Sequence, residues 1–468
     1  MSAMSYPLDP TPEQMREMGR AALDYLVEFT ASQDEQAALD VEGAIDAARS
    51  VRAAPPEDGG SFDRLMDQVD LVAAKAYNTT GPGYLPFIPG GGLFAAALGD
   101  FLAAGINRFV NLWGQGPVGA QIEYNVVRWL CDLFGYGPES RGILTTGGSI
   151  ANLSALVAAR KAKLPENFLS GTLYVTEQVH ASNAKAASIA GFPLENVRSV
   201  PVTRSMKMDM DALGVMVAAD RAAGRIPFFV IGSAGTTNTG AIDPLREIAD
   251  LAEEQDLWMH VDGAYGGFFQ LTDRGRTAFA GIERADSITL DPHKGLFLPY
   301  GTGSLVVRDG ARLREAHFVG QHYLQDFPPE DEIPNFTEYS IELSRDFRGL
   351  RVWFPLVLHG VGAFREALDE KLDLAGYLYE ELSTIPELEL FGEPELTVVP
   401  FRLHEGGDEV TRRLLDLVNA SKRVVLSSTI LHGRFTIRAC ILSHRTHRDR
   451  VEECVQIVRR AVSDVVGR

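Results

Sequence analysis

The chain is poor in cysteine, in basic charge and in long apolar runs. Its 468 residues include three cysteines, Cys131, Cys440 and Cys454. They are scattered without metal or redox spacing, which suits a reducing cytoplasm, and no metal site is expected. Lys and Arg total 44 against 63 Asp and Glu, a formal net charge of −19. That balance argues against nucleic acid or an anionic membrane as a partner. No apolar run approaches the ~18 residues that a membrane span needs. Met1 to Pro10 carries neither a basic start nor an apolar stretch, so no signal peptide is expected. No G-x-G-x-x-G follows the first strand of a βαβ unit, which removes a dinucleotide-binding oxidoreductase. What is present is apolar residue in quantity, 45% of the chain, enough for one large core and a satellite domain.

Residues 11–53 read as helical, with Met15, Met18, Ala22, Tyr25, Leu26 and Phe29 at helical spacing. A further helix is expected from Phe62 to Ala76, before the Gly/Pro-rich stretch Gly81 to Gly90. Such helices bury little alone and are expected to pack across a partner subunit. From about 120 to 310, apolar strands alternate with helical stretches, as at Thr172 to Val175, Phe228 to Gly232, Trp258 to Val261 and Ser287 to Leu290. That order implies a mostly parallel sheet covered by helices on both faces. A last unit follows, with a helix from Val352 to about Glu381, strands near Leu396–Phe401 and Phe435–Ala439, and a closing helix from His447. The expected division is a helical dimerisation segment (1–82), a large α/β domain (83–349) and a small C-terminal α/β domain (350–468).

The chemistry gathers at strand ends. Asp262 closes the strand Trp258–Val261, and Lys294 follows Ser287–Leu290 in the tetrapeptide Asp291-Pro292-His293-Lys294. An acid that keeps a pyridine nitrogen protonated and an amine that forms a Schiff base with the ring's aldehyde are what pyridoxal phosphate chemistry requires. Asp262 could also serve as an ordinary helix cap. Lysine beside a buried strand is uncommon, because burial disfavours the ammonium. The turn Gly147-Gly148-Ser149 opens a helix after a strand, so its backbone can approach a phosphate; the plainer reading is a tight turn that needs glycine. His180 follows another strand, where a flat imidazole can stack on a pyridine face or simply be satisfied on the surface. Thr237 lies in a polar loop after a strand, with a hydroxyl available to a ring oxygen, and Ala264 offers a small contact opposite His180.

These motifs in order, with Arg345 to Trp353 and Phe435 to Leu442, resemble the pyridoxal-dependent group II decarboxylases, with a pattern similar to aromatic-L-amino-acid and tyrosine decarboxylases. The resemblance implies the fold type I architecture of pyridoxal phosphate enzymes: a mostly parallel large domain, an N-terminal helical arm and a small C-terminal α/β domain. It implies that Lys294 carries the cofactor, Asp262 bonds the ring nitrogen, His180 stacks on the ring, Thr237 lies beside it, and Gly148 and Ser149 cradle the phosphate with Asp291 and His293 near. The family commonly has Asn where Asp291 stands, and a carboxylate there would repel a phosphate. Phe318 to Asn335 reads as a mobile loop, and the resemblance makes its Tyr323 the proton donor. Relatives with phenylalanine at that position tend toward aldehyde products.

Phe87, Ile88 and Pro89 match the family's substrate-lining segment, and Phe109 and Asn111 its far wall, supplied by the partner subunit of a homodimer whose site lies at the interface. Their apolar character suits an aromatic or bulky side chain, and all of them can equally be interface core. The expected reaction is therefore decarboxylation of an L-amino acid, aromatic by preference, to an amine and CO2. The alternative is an aldehyde synthase, aminotransferase or carbon–carbon lyase of the same fold acting on a non-aromatic amino acid.

Overall fold

The computed structural model describes residues 8–320 and 333–467. Seven strands form the large sheet: β1 (Arg141–Thr145), β2 (Gly171–Thr176), β3 (Val197–Val200), β4 (Ile226–Ser233), β5 (Trp258–Gly263), β6 (Ser287–Leu290) and β7 (Gly303–Val307). Their order is β1-β7-β6-β5-β4-β2-β3. Pairings from β3 through β2, β4 and β5 to β6 are parallel, and β7 alone runs against both neighbours. Every residue of β2, β5 and β6 is buried, as expected of parallel strands covered on both faces. Helix Gly148–Lys163 crosses β4 to β7 with an alanine-rich buried face, so its N-terminus sits at the carboxyl ends of the central strands.

A second, antiparallel sheet contains β8 (Leu388–Leu390), β9 (Val398–Leu403), β10 (Ser427–Leu431) and β11 (Arg434–Cys440), in the order β10-β11-β9-β8. Val399, Phe401 and Ile437 pack with Leu414 and Val458 of the helices Gly407–Ala420 and Arg448–Val466 into a core of their own. His432 and Gly433, at φ 50° and 72°, make the tight β10–β11 connection that positive φ permits.

Two helical expectations need correction. Residues 11–53 form two helices, Pro12–Ala31 and Ala44–Ser50, not one. The first ends where Ser32 Oγ bonds Glu28 O and the amides of Gln33 and Gln36 bond Phe29 O. Beyond it, the backbone pairs elsewhere: Ala38 N donates to Lys422 O, and Leu39 bridges Tyr77. The helix from residue 352 spans Arg348–Ser383 and breaks at Gly360, whose φ of 76° is not helical. Its first part packs on the helices Phe94–Ile106 and Pro117–Leu133, and the rest reaches the small sheet.

Candidate active site

Parallel strands bring their carboxyl ends to one edge, where α/β proteins bind ligands. Here that edge encloses a cavity of about 220 Å³ lined by Gly147, Gly148, Ser149, His180, Thr237, Asp262, Ala264, Asp291, His293 and Lys294. Ten residues picked out by sequence, from five separate loops, thus meet at one place.

Asp262 is buried at the end of β5. Its Oδ2 accepts hydrogen bonds from Asn152 Nδ2 at 3.0 Å and Asn183 Nδ2 at 2.9 Å, and its Oδ1 accepts from Ala264 N at 3.2 Å. Burial works against its charge, yet the Asn183 bond and the nearby Lys294 hold the carboxyl below its usual range. Every partner is a donor, so Asp262 stays an acceptor. Across the cavity, Lys294 Nζ lies 2.9 Å from Asp291 Oδ2. Asp291 Oδ1 is buried without a hydrogen-bond partner, a costly state for a carboxylate oxygen. His293 donates Nδ1–H to Thr302 O at 2.6 Å, and burial, opposed by Asp291, lowers its pKa.

The Gly147–Ser149 turn begins the helix Gly148–Lys163 with no side chain capping it. Its first N–H groups and the positive end of the helix dipole can therefore receive an anion. A Cβ on Gly148 would come within 3.2 Å of both Ala264 Cβ and Asp291 Oδ2, so the floor of the cavity admits only glycine without movement. An anion cradle, an acceptor carboxylate and a primary amine lining one cavity form a set that fits pyridoxal phosphate. His180 is exposed at the cavity mouth, with Nδ1 2.8 Å from Ser182 Oγ.

The expected substrate wall is only partly assembled within one chain. Ile88 and Pro89 are buried, and Gly90 packs against the backbone of His293. Phe87 is 59% exposed with a φ of 52°, a conformation that aromatic residues rarely adopt. It is pinned by Ser427 Oγ, which accepts Phe87 N–H, and by Arg438, which donates to Phe87 O. Phe109 lies instead in a second depression of about 400 Å³ with Asp100, Arg108 and Phe347. Asn111 is fully buried and donates to the carbonyls of Leu343 and Arg345; it does not line the cavity of its own chain. Tyr323 lies outside the described residues.

Three residues of the site had no role assigned from sequence. Asn152 and Asn183 fix Asp262, and the only signal was an asparagine among the alanines of a buried helical face, where it must find a partner. Arg438 of β11 donates to Thr237 O, Phe87 O, Asn238 O and Ser427 Oγ. Nothing local announces that reach.

Residues 46–404 match the pyridoxal-dependent decarboxylase conserved domain. The aromatic-L-amino-acid decarboxylase of Bacillus atrophaeus is 33% identical over 465 residues, covering 97% of this chain and 96% of its own. Tryptophan decarboxylase 2 of Oryza sativa subsp. japonica is 26% identical, covering 97% and 96%. The crystal structure of Oryza sativa TDC with PLP and tryptamine superposes with a TM-score of 0.92 at 25% identity, over 98% of this chain and 99% of that one. A conserved domain matched across most of the chain, and a relative similar along nearly its whole length, agree with a cavity that sets an amine against a carboxylate: the chain belongs to the pyridoxal-dependent decarboxylase family.

Proposed function

We propose that the chain decarboxylates an aromatic L-amino acid to the corresponding amine, with Lys294 as the attachment point of pyridoxal phosphate. The observation that carries this reading is that Lys294, the acceptor-only Asp262 and the Gly147–Ser149 turn line one cavity. The decarboxylases named above support the aromatic preference.

Bound there, pyridoxal phosphate supplies an electron sink, a protonated ring that takes up the electron pair left when CO2 departs. Asp262 would keep that ring nitrogen protonated, its carboxylate fixed by Asn152 and Asn183. Gly148 and Ser149 hold the phosphate, with His293 beside them. Thr237 offers its hydroxyl at the ring edge, His180 covers one face, and Ala264 leaves room on the other. Lys294 would hold the cofactor through its primary amine, which can exchange places with the amine of a substrate. Tyr323 delivers the proton to Cα.

The homodimer belongs to the same proposal. Helices Pro12–Ala31 and Phe62–Ala74 bury no residue within one chain, and Phe109 of the partner subunit would complete the substrate wall; Asn111, buried in its own chain, is not available to it. A cytoplasmic location is proposed from three cysteines that are all free and buried.

The test is a product screen. The purified protein, loaded with pyridoxal phosphate, is incubated with the twenty standard amino acids, DOPA and 5-hydroxytryptophan, and products are identified by mass alongside released CO2. An aromatic amine with matching CO2 is expected, and Lys294→Ala should lose both turnover and the cofactor's visible band near ~420 nm. An aldehyde product, or turnover confined to a non-aromatic amino acid, would overturn the reading.

A further inference from the structure

Trp258, His260 and Asp262 alternate along β5, so their side chains share one face of the sheet. Ser287 stands opposite His260 in β6, and Asn152 comes down onto the same face from the helix Gly148–Lys163. The hydrogen-bond inventory of these groups gives the contacts a direction. Trp258 Nε1 can only donate, and it lies 2.8 Å from Ser287 Oγ. Ser287 Oγ can take that N–H and still donate to His260 Nδ1, at 2.8 Å, and the other end of the chain requires it: Asp262 can only accept, so Asn152 turns its NH2 there and its Oδ1 to His260 Nε2. The imidazole proton is left on Nε2, 3.1 Å from Asn152 Oδ1. With its oxygen engaged, the Asn152 amide points its NH2 at Asp262 Oδ2, at 3.0 Å, and at Ser182 Oγ, at 3.1 Å. Ser182 in turn donates to His180 Nδ1, at 2.8 Å, a nitrogen that also accepts Ser182 N–H at 3.3 Å.

We propose that Asn152, held in one orientation by His260 behind it, is the positioning residue for both walls of the cofactor site: it fixes the Asp262 carboxylate and, through Ser182, steadies the His180 tautomer that carries its ring proton on Nε2. Turned over, the same amide would set its oxygen against the carboxylate of Asp262 and its NH2 against the Nε2–H of His260. His260 is the lock that forbids this. Its ring stacks on Phe229, with centroids 5.7 Å apart and planes 16° apart. Burial draws its pKa down to about 4, against the pull of Asp262, so near neutral pH it carries a single ring proton. The proposal rests on the reading that this cavity holds pyridoxal phosphate.

The experiment compares His260→Gln with His260→Leu, since His260 does not line the cavity. Glutamine keeps a donor for Asn152 Oδ1; leucine keeps bulk without one. Both variants are loaded with pyridoxal phosphate, checked for folding by thermal melting, and assayed for the visible cofactor band and for kcat and KM separately. His260→Leu should lose at least about tenfold in kcat at nearly constant KM, with an altered band, while His260→Gln stays within about threefold of the parent. If leucine does not yield folded protein, Ser287→Ala takes its place with the same expected loss. Equal kcat for the two variants, high or low, overturns the proposal, as does glutamine falling below leucine. A parent protein that shows no visible band with pyridoxal phosphate would instead sink the functional reading beneath it.

Discussion

Lys294 and Asp291 form an ion pair of 2.9 Å inside a cavity, with the Asp291 side chain only 4% exposed. The pair spans one helical turn, i to i+3, in the short helix Pro292–Gly295. A buried charge whose partner is removed is expensive, whereas removing both charges is not.

Lys294→Ala should therefore destabilise the cofactor-free protein by about 2 kcal/mol or more, and adding Asp291→Asn should recover most of that loss. Urea unfolding of the parent, both single variants and the double variant measures the coupling. Strict additivity would mean that the pair contributes nothing.

Asp291→Asn alone should bind pyridoxal phosphate more tightly, by roughly 3- to 10-fold, because one anion beside the phosphate cradle disappears. Titration of cofactor-free protein, followed by its visible band, reads this directly. Weaker binding would assign the carboxylate an attractive role.

Arg438→Lys should be far from conservative. The guanidinium reaches four oxygens in three segments, and an ammonium cannot reproduce that fork. A loss of about 2–4 kcal/mol of stability is expected, together with reduced kcat/KM at saturating cofactor. Parent-like values for both would show the bonds to be incidental.

His444 supplies a pH signature. Burial, reinforced by Arg445, draws its pKa from 6.5 to about 3. The unfolded chain takes up a proton below pH 6.5 that the folded chain refuses until pH 3. The stability tied to this neutral imidazole is thus complete above pH 6.5 and is lost as pH falls toward 3. Relative to His444→Gln, the parent should lose about 1.4 kcal/mol per pH unit within that window. Parallel stability curves for the two proteins would show that the folded imidazole titrates normally.

Much of the site was legible because its chemistry is local. Lys294 and the Gly147–Ser149 turn follow strands and Asp262 lies at the end of one, and a parallel sheet carries strand ends to one edge whatever the loops between them do. Asn152 and Arg438 were not legible, because each is defined by partners far along the sequence. Phe109 and Asn111 were placed on a substrate wall, yet within one chain their neighbours are Phe347 and the carbonyls of Leu343 and Arg345. Secondary structure failed where tertiary contacts overrode pattern. Nothing between Ser32 and Glu42 breaks a helical rhythm in sequence, and the chain leaves it only because Ala38 and Leu39 pair with distant backbone. The short strands β3, β8 and β10 lacked an apolar run long enough to announce them.

The Arg438 clasp also sets an order of events during synthesis. Its carbonyl partners at Thr237 and Phe87 precede it by 201 and 351 residues. A chain emerging from the ribosome therefore displays its reactive amine well before the clasp exists, and cofactor captured then would sit against loops not yet tied down. The clasp waits for residue 438, so a ribosome stalled after residue 400 releases a polypeptide with every ligand-touching group named here but without the Arg438 bonds that tie the Thr237 and Phe87 loops together.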